Sequence, residues 1–182
     1  GSLLDAAAGQ SDRHTPVVRA ADDLAAILYT SGTTGRSKGA MLTHGNLLSN
    51  ARVLKSYWGW TEGDVLIHAL PIFHVHGLFV ASHGALLNGS KMIWLAKFDP
   101  AAVVRRLPEA TVFMGVPTLY VRLLAEPGFT REACRRMRLF VAGSAPLLIE
   151  TFNEFRERSG HTILERYGMS ETAMLTSNPY DP

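Results

Sequence analysis

Apolar residues fall along this chain in short runs, and between the runs they recur every three or four positions. The runs read as strands and the spaced stretches as helices. "LAAILYT" (24–30) predicts a buried strand that stops at a glycine-rich loop. "GNLLSNARVLKSYWGW" (45–60) places Leu47, Leu48, Ala51 and Leu54 on one face of a helix. "DVLIHAL" (64–70) predicts a second strand, and "HGLFVASHGALLNG" (76–89) a helix that Asn88-Gly89 stops. "KMIWLA" (91–96) is a third strand, followed by a helix over 99–107 that Asp99 and Pro100 open. "ATVFMGV" (110–116) and the helix "PTLYVRLLAE" (117–126) repeat the alternation. So do "RLFVAGS" (138–144), the amphipathic "APLLIETFNEFRERSG" (145–160) and a sixth strand, "TILERYG" (162–168).

Strands that alternate with helices predict an α/β fold with a mostly parallel sheet, because parallel strands need crossover connections. Residues 1–21 are small and polar and read as a tail or linker, and residues 22–182 as one α/β domain. In such sheets ligands gather beyond the carboxyl ends of strands. Three loops qualify: 30–38, 143–146 and 167–172.

The bulk composition narrows the function classes. At 182 residues, 47% hydrophobic and 19% charged, the chain has the make-up of a water-soluble globular domain able to bury a sizeable core. A net charge of +2 argues for neither nucleic acid nor a membrane surface as partner. No run approaches the roughly 20 apolar residues of a membrane span, and no signal peptide pattern opens the chain. The single cysteine, Cys134, excludes an internal disulfide and points to a reducing compartment such as the cytoplasm.

The chemistry begins at "TSGTTGRSKG" (30–39). It is not a P-loop: counting from Gly32, the second glycine would fall on Ser37, and Lys38 is followed by Gly39. It is not G-x-G-x-x-G either. Yet Gly32 and Gly35 allow backbone amides to converge, Thr30, Ser31, Thr33 and Thr34 add hydroxyls, and Lys38 supplies a mobile cation. That set suits a polyanion such as a nucleotide's phosphates, against the plainer alternative of a flexible surface turn.

"YTSGTTGRSKGAMLTHGN" (29–46) resembles the signature loop of the adenylate-forming superfamily, which includes acyl-CoA synthetases, luciferases and peptide-synthetase adenylation domains. It departs in having Ser37 where the family has proline. "ERYGMSET" (165–172) is similar to a second signature, and "GSAPL" (143–147) to the loop on the adenine side. The resemblance covers nearly the whole chain but only the middle of a family member. It implies that ATP meets Thr30, Ser31, Gly32, Thr33, Thr34, Gly35, Lys38, Gly143, Ser144, Ala145, Glu165, Arg166, Tyr167, Gly168, Met169 and Ser170, with Tyr167 by the adenine. Glu171 becomes the Mg²⁺ ligand, and Ser170 or Thr172 a phosphate contact. On residue type alone, Ser170-Glu171 reads better as a helix start, and Pro146 serves equally well as the opening of a helix after a plain turn.

"LPIFHVHGLF" (70–79) holds His74 and His76, two apart. A metal site there lacks a third ligand, and a structural histidine pair is the ordinary reading. "LPIFHVHGL" and "MGVPTLYVRLL" (114–124) resemble the malonyl-CoA synthetase branch of the superfamily. That implies a malonate–CoA ligase: malonate is activated by ATP·Mg²⁺ to an acyl-adenylate, and coenzyme A then displaces AMP. Benzoate, fatty-acid or non-catalytic nucleotide-binding relatives are the alternatives. A diacid needs a cation for its second carboxylate, since an aliphatic pocket would leave that charge without a partner. Arg122, among Leu119, Val121, Leu123 and Leu124, is the candidate clamp, unless it snorkels to water. The resemblance sets His76, Ser144 and Met169 beside it and His74 at the reacting carboxylate. An Arg122 pointing into bulk water, far from the stretch after Tyr29, would remove the diacid assignment and leave only generic acyl chemistry.

Family members also use a C-terminal domain with a catalytic lysine, absent from these residues and the natural intramolecular partner. The 182-residue chain alone is therefore expected to hold ATP weakly and to turn over poorly or not at all. Each lost charged contact would cost about 1.5–3 kcal/mol of binding. Titration calorimetry with ATP·Mg²⁺ measures the residual affinity, and full synthetase turnover by the chain alone would refute the expectation.

Overall fold

The computed structural model describes residues 2–11, 13–31 and 35–180. A short helix α1 (Leu3–Ala7) and an extended segment lead into a two-stranded antiparallel ladder, β1 (Leu24–Ser31) and β2 (Ser37–Thr43). A six-stranded sheet follows, built from β3 (Val65–His68), β4 (Lys91–Trp94), β5 (Val112–Gly115), β6 (Leu139–Ala142), β7 (Ile163–Met169) and β8 (Ala173–Ser177). Its order is β4-β3-β5-β6-β7-β8. The first five strands run parallel and β8 returns antiparallel.

The strands carry apolar residues on both faces because helices cover both. Ile67, Phe113, Phe140 and Ile163 point to one side, where they meet α4 (Pro100–Arg106), α5 (Pro117–Leu124) and α6 (Ile149–Ser159) through Val103, Tyr120, Leu123 and Phe155. Leu66, Val112, Met114, Leu139 and Val141 point to the other. There they meet Leu54 of α2 (His44–Tyr57), Val80 and Ala81 of a π-helical segment (His76–Ser82), and Ala85 of α3 (His83–Asn88). The Tyr120 hydroxyl, fully buried, donates to the Val141 carbonyl at 2.7 Å, so even the polar tip of this core ring is satisfied.

Several boundaries follow local chemistry. Thr43 and Asn46 form a reciprocal capping box on α2, Asp99 caps α4 ahead of Pro100, and Gly160 ends α6 in the left-handed region at φ 78°. Four features differ from the sequence reading. The 24–30 strand is not buried: among the described residues it pairs only with β2, and Ile27 and Tyr29 stay 47% and 75% exposed. Strands β2 and β8 were not anticipated, because both lie in stretches read for their motifs rather than for alternation. The turn between β7 and β8 therefore replaces the possible helix start at Ser170-Glu171. The last helix begins at Ile149, not Ala145, since Pro146 lies in the preceding loop. Finally, the first half of the 76–89 helix is a π-helix, which begins where Gly77 lies so close to the Pro71 carbonyl that a Cβ would collide with it.

At the amino ends of the central strands one carboxylate gathers three elements. Asp64, 2% exposed, accepts from the Thr61 amide at 2.8 Å, the Thr111 hydroxyl at 2.7 Å and the Arg138 Nε at 2.7 Å, while Arg138 Nη2 bonds its second oxygen. Arg138 also donates to the Trp58 carbonyl at 3.1 Å and lies under the Tyr180 ring. Burial pushes the Asp64 carboxyl up, but the hydrogen bonds from Arg138, Thr61 and Thr111 outweigh it and hold the group below its ordinary value.

Asp64→Asn should cost about 2–3 kcal/mol, because it strands a largely buried guanidinium. Urea denaturation at neutral pH checks this. The Asp64 contribution is present above the unfolded carboxyl's pKa of about 3.9 and is lost as pH falls through the lower folded value. The difference between wild type and variant should therefore shrink only in strong acid.

Candidate active site

Sheet topology decides where a ligand can sit. From β3 the chain goes outward to β4, then returns across to β5 and continues through β6 to β7. The switch point lies between β3 and β5, and a cavity of about 1070 Å³ opens beyond the carboxyl ends there. Each strand contributes what immediately follows it: Ala69–Gly77 after β3, Trp94–Phe98 from β4, Val116 after β5, Ser144 after β6, and Arg166 and Gly168–Ser170 from β7.

The walls are mostly apolar and the polar groups converge at the β6–β7 side. Arg166 is 6% exposed, yet among the described residues its Nε has no partner and its side chain hydrogen-bonds only through Nη2, to the Ser144 hydroxyl at 3.4 Å. None of the ion pairs among the described residues includes it. Burial pulls the guanidinium down to about 10, so it remains charged at neutral pH. Gly143 makes room for it, since a Cβ at that position would collide with the guanidinium. Ser144 holds a left-handed backbone at φ 70°, a conformation that strains a residue with a Cβ.

His76 also lines this cavity at 6% exposure, and neither ring nitrogen has a partner. Burial, then the charge of Arg166, then His68 hold it well below the usual imidazole value, so it is neutral. His68 lies beneath, its Nε2 3.0 Å from the Gly77 carbonyl and 3.1 Å from the Ser82 hydroxyl. Ser82 gives its own hydrogen to Gly77 at 2.9 Å, which makes His68 Nε2 the protonated nitrogen. The His68 ring stacks on Trp94 with centroids 4.2 Å apart. His74 is exposed at the cavity mouth beside Phe73, so the two histidines of the 74–76 pair do not share a face as they would in a strand.

The expected site residues divide into three groups. His74, His76, Ser144, Arg166, Gly168, Met169 and Ser170 come together around the cavity. Thr30 and Ser31 end β1, and Lys38 pairs with Thr30 across the hairpin; no described hairpin residue lines the cavity. Gly35 has φ 80°, a left-handed backbone that glycine adopts without strain, while Gly32, Thr33 and Thr34 lie outside the described residues. Glu171 lies on the other side of the β7–β8 turn, in a concavity of about 440 Å³ with Asn50 and Thr172. Ala145 and Glu165 are exposed, and Tyr167 is 57% exposed.

Arg122 requires a correction of position. Helix α5 turns Tyr120, Leu123 and Leu124 into the core, which puts residue 122 on its outer side. Its guanidinium lies over the Phe98 ring at 4.8 Å rather than inside the cavity, although Phe98 and Leu119 are cavity walls. The buried cation is Arg166 instead. Sequence reasoning grouped Arg166 with nucleotide contacts and missed Trp94 and Phe98. Their signal was their place at the carboxyl end of the third predicted strand.

An α/β sheet with a cavity at its switch point, and a buried guanidinium there with no ion-pair partner among the described residues, is an arrangement that can accept an anion. The family model described as AMP-binding enzyme matches residues 2–182, and the chain belongs to that family. It is 43% identical over 171 residues to the mitochondrial malonate–CoA ligase ACSF3 of Xenopus laevis, covering 85% of this chain and 30% of that protein. The crystal structure of apo MatB from Rhodopseudomonas palustris superposes with a TM-score of 0.95 at 59% identity, covering all of this chain and 36% of that one. A malonyl-CoA ligase ternary product complex with methylmalonyl-CoA and AMP bound gives 0.84 at 39% identity, covering 89% and 36%. The chain thus spans about a third of the length of the relatives it matches.

Acid should loosen this site first. A buried histidine held neutral contributes stability that is present above the unfolded pKa of about 6.5 and is lost as pH falls below it towards the depressed folded value. His76 and His68 are both such groups. Urea denaturation from pH 7 downward should show the decline, with a smaller decline in His76→Gln.

Proposed function

We propose that this chain is the nucleotide- and acid-binding core of an ATP-dependent, AMP-forming acid–CoA ligase, and that its acid is the small dicarboxylate malonate. The observation that carries the reading is Arg166: a buried guanidinium in a largely apolar cavity with no acidic partner among the described residues. Such a charge is costly unless a ligand pairs with it, and a carboxylate can do so in bidentate geometry. The names of the relatives, malonate–CoA ligase and malonyl-CoA ligase, support the same acid.

The roles we propose combine the cavity lining with the motif resemblance. Arg166, Ser144 and His76 hold the second carboxylate, and Arg122 stands over Phe98 as a further cation near the cavity wall. The first carboxylate attacks the α-phosphate of MgATP, forming the acyl-adenylate and releasing pyrophosphate. The coenzyme A thiol then displaces AMP. His74, at the mouth, borders the reacting carboxylate. The hairpin residues Thr30, Ser31, Gly35 and Lys38, with Gly32, Thr33 and Thr34, take the β- and γ-phosphates. Glu171 offers a hard oxygen ligand for the Mg²⁺ that travels with ATP. Because two anions must meet, screening and alignment are the protein's main contributions. A bulkier apolar acid is the second reading, favoured by Leu70, Ile72, Phe73 and Phe98 in the walls.

Pyrophosphate release against mono- and dicarboxylic acids separates the two. It is best measured on this chain joined to the remaining part of the R. palustris relative. With malonate, Arg166→Met should lower kcat/KM about 10- to 100-fold, the equivalent of one lost charged hydrogen bond. A monocarboxylic acid of similar size should gain or hold. Equal losses for both acids, or better use of benzoate than malonate by the unaltered protein, would overturn the diacid reading.

A further inference from the structure

The polar end of the cavity holds two groups that could each carry a positive charge. Arg166 carries one, while His76 does not, because burial and its neighbour keep it neutral. Both of its ring nitrogens are enclosed and unpartnered. A neutral imidazole offers one N–H and one lone pair. A carboxylate has no hydrogen to give, so it can satisfy the N–H and never the lone pair. Protonation turns the lone pair into a second donor and adds the charge that the incoming anion lacks on that side.

We propose that His76 is the proton-accepting half of a two-cation clamp, so that the cavity takes up one proton from solvent together with the second carboxylate of its diacid. The inference rests on the diacid reading above and adds a charge balance to it. In the empty cavity an imidazolium would repel Arg166 with nothing to offset it. Once a carboxylate lies between them, each cation faces an opposite charge and the repulsion is screened at its source. The titratable groups that act on His76 are Arg166 on β7 and His68 on β3. His68 also has an unpartnered Nδ1, but His68 does not line the cavity and so does not face the diacid. Of the other elements packed against the π-helix, β8 carries no titratable residue, α3 carries His83, and α2 carries His44, Arg52, Lys55 and Tyr57, none of which lines the cavity. His74 and Lys97 stand along the exposed lining of the cavity. The device suits the chemistry, because the diacid arrives as a dianion at a site that must also receive a triphosphate. An added proton reduces the charge that the two substrates bring together.

Titration calorimetry of the full chain with malonate, run near pH 6.5 in two buffers of different ionisation enthalpy, counts protons taken up on binding. The expected result is a buffer-dependent heat and an affinity that strengthens by up to about tenfold per unit of pH lowered, the limit for one linked proton. His76→Gln keeps a hydrogen-bonding amide and cannot titrate. It should bind more weakly and leave only the protonation that belongs to malonate itself. Imidazole nitrogen NMR of the unaltered chain should show the His76 pKa rising when malonate is added and staying put with propionate. Malonate binding with buffer-independent heats and an unmoved His76 would overturn the proton uptake while leaving the diacid reading intact. Malonate binding no tighter than propionate would overturn both.

Discussion

The cavity is framed from the opposite end of the strands, where the Asp64 carboxylate ties β3, β5 and β6 together. Thr61 leads into β3, Thr111 precedes β5 and Arg138 precedes β6, and all three donate to the same side chain. Strands pinned together at their amino ends emerge in register at their carboxyl ends. There Ala69, Val116 and Ser144 become neighbours around one space. Because the first four parallel strands are only four residues each, little length is available for registers to drift between the clamp and the site.

Against that rigid frame the polar end of the cavity is held at a cost. Among the described residues, Arg166 is buried without a counter-charge and His76 has two unmet nitrogens, while Ser144 occupies a strained backbone region. Each would be selected against in a core that served only stability. Together, at a topological switch point, they describe a place that becomes favourable only when an anion arrives. Gly143 belongs to this set because its missing side chain is what leaves space for the guanidinium.

Much of this was legible in the residues. Apolar runs separated by helical spacing pointed to the parallel sheet, and Asp99-Pro100, Gly89 and Gly160 marked helix ends that the fold has. What failed did so for identifiable reasons. In β1, apolar residues on both faces look the same whether a strand is central or paired only in a hairpin, so Tyr29 and Ile27 gave no warning of their exposure. In α5, Arg122 among leucines suggested a buried cation, but helical rotation alone decides which side of the wall it takes. Arg166 alternates in β7 with exposed Glu165 and Tyr167, and that alternation already pointed it inward; the motif around it drew the reading to nucleotide contacts instead.

Trp58 and Trp60 are sealed in the core, at 0% and 3% exposure, whereas Trp94 is 50% exposed on the cavity wall with its indole stacked on His68. One of three indoles thus meets both the solvent in the cavity and an imidazole beneath. Displacement of that solvent, or a change in charge below the ring, alters the surroundings of this one chromophore and leaves the other two dark to the event. The protein therefore carries its own optical reporter of occupancy, built into the wall that the occupant would touch.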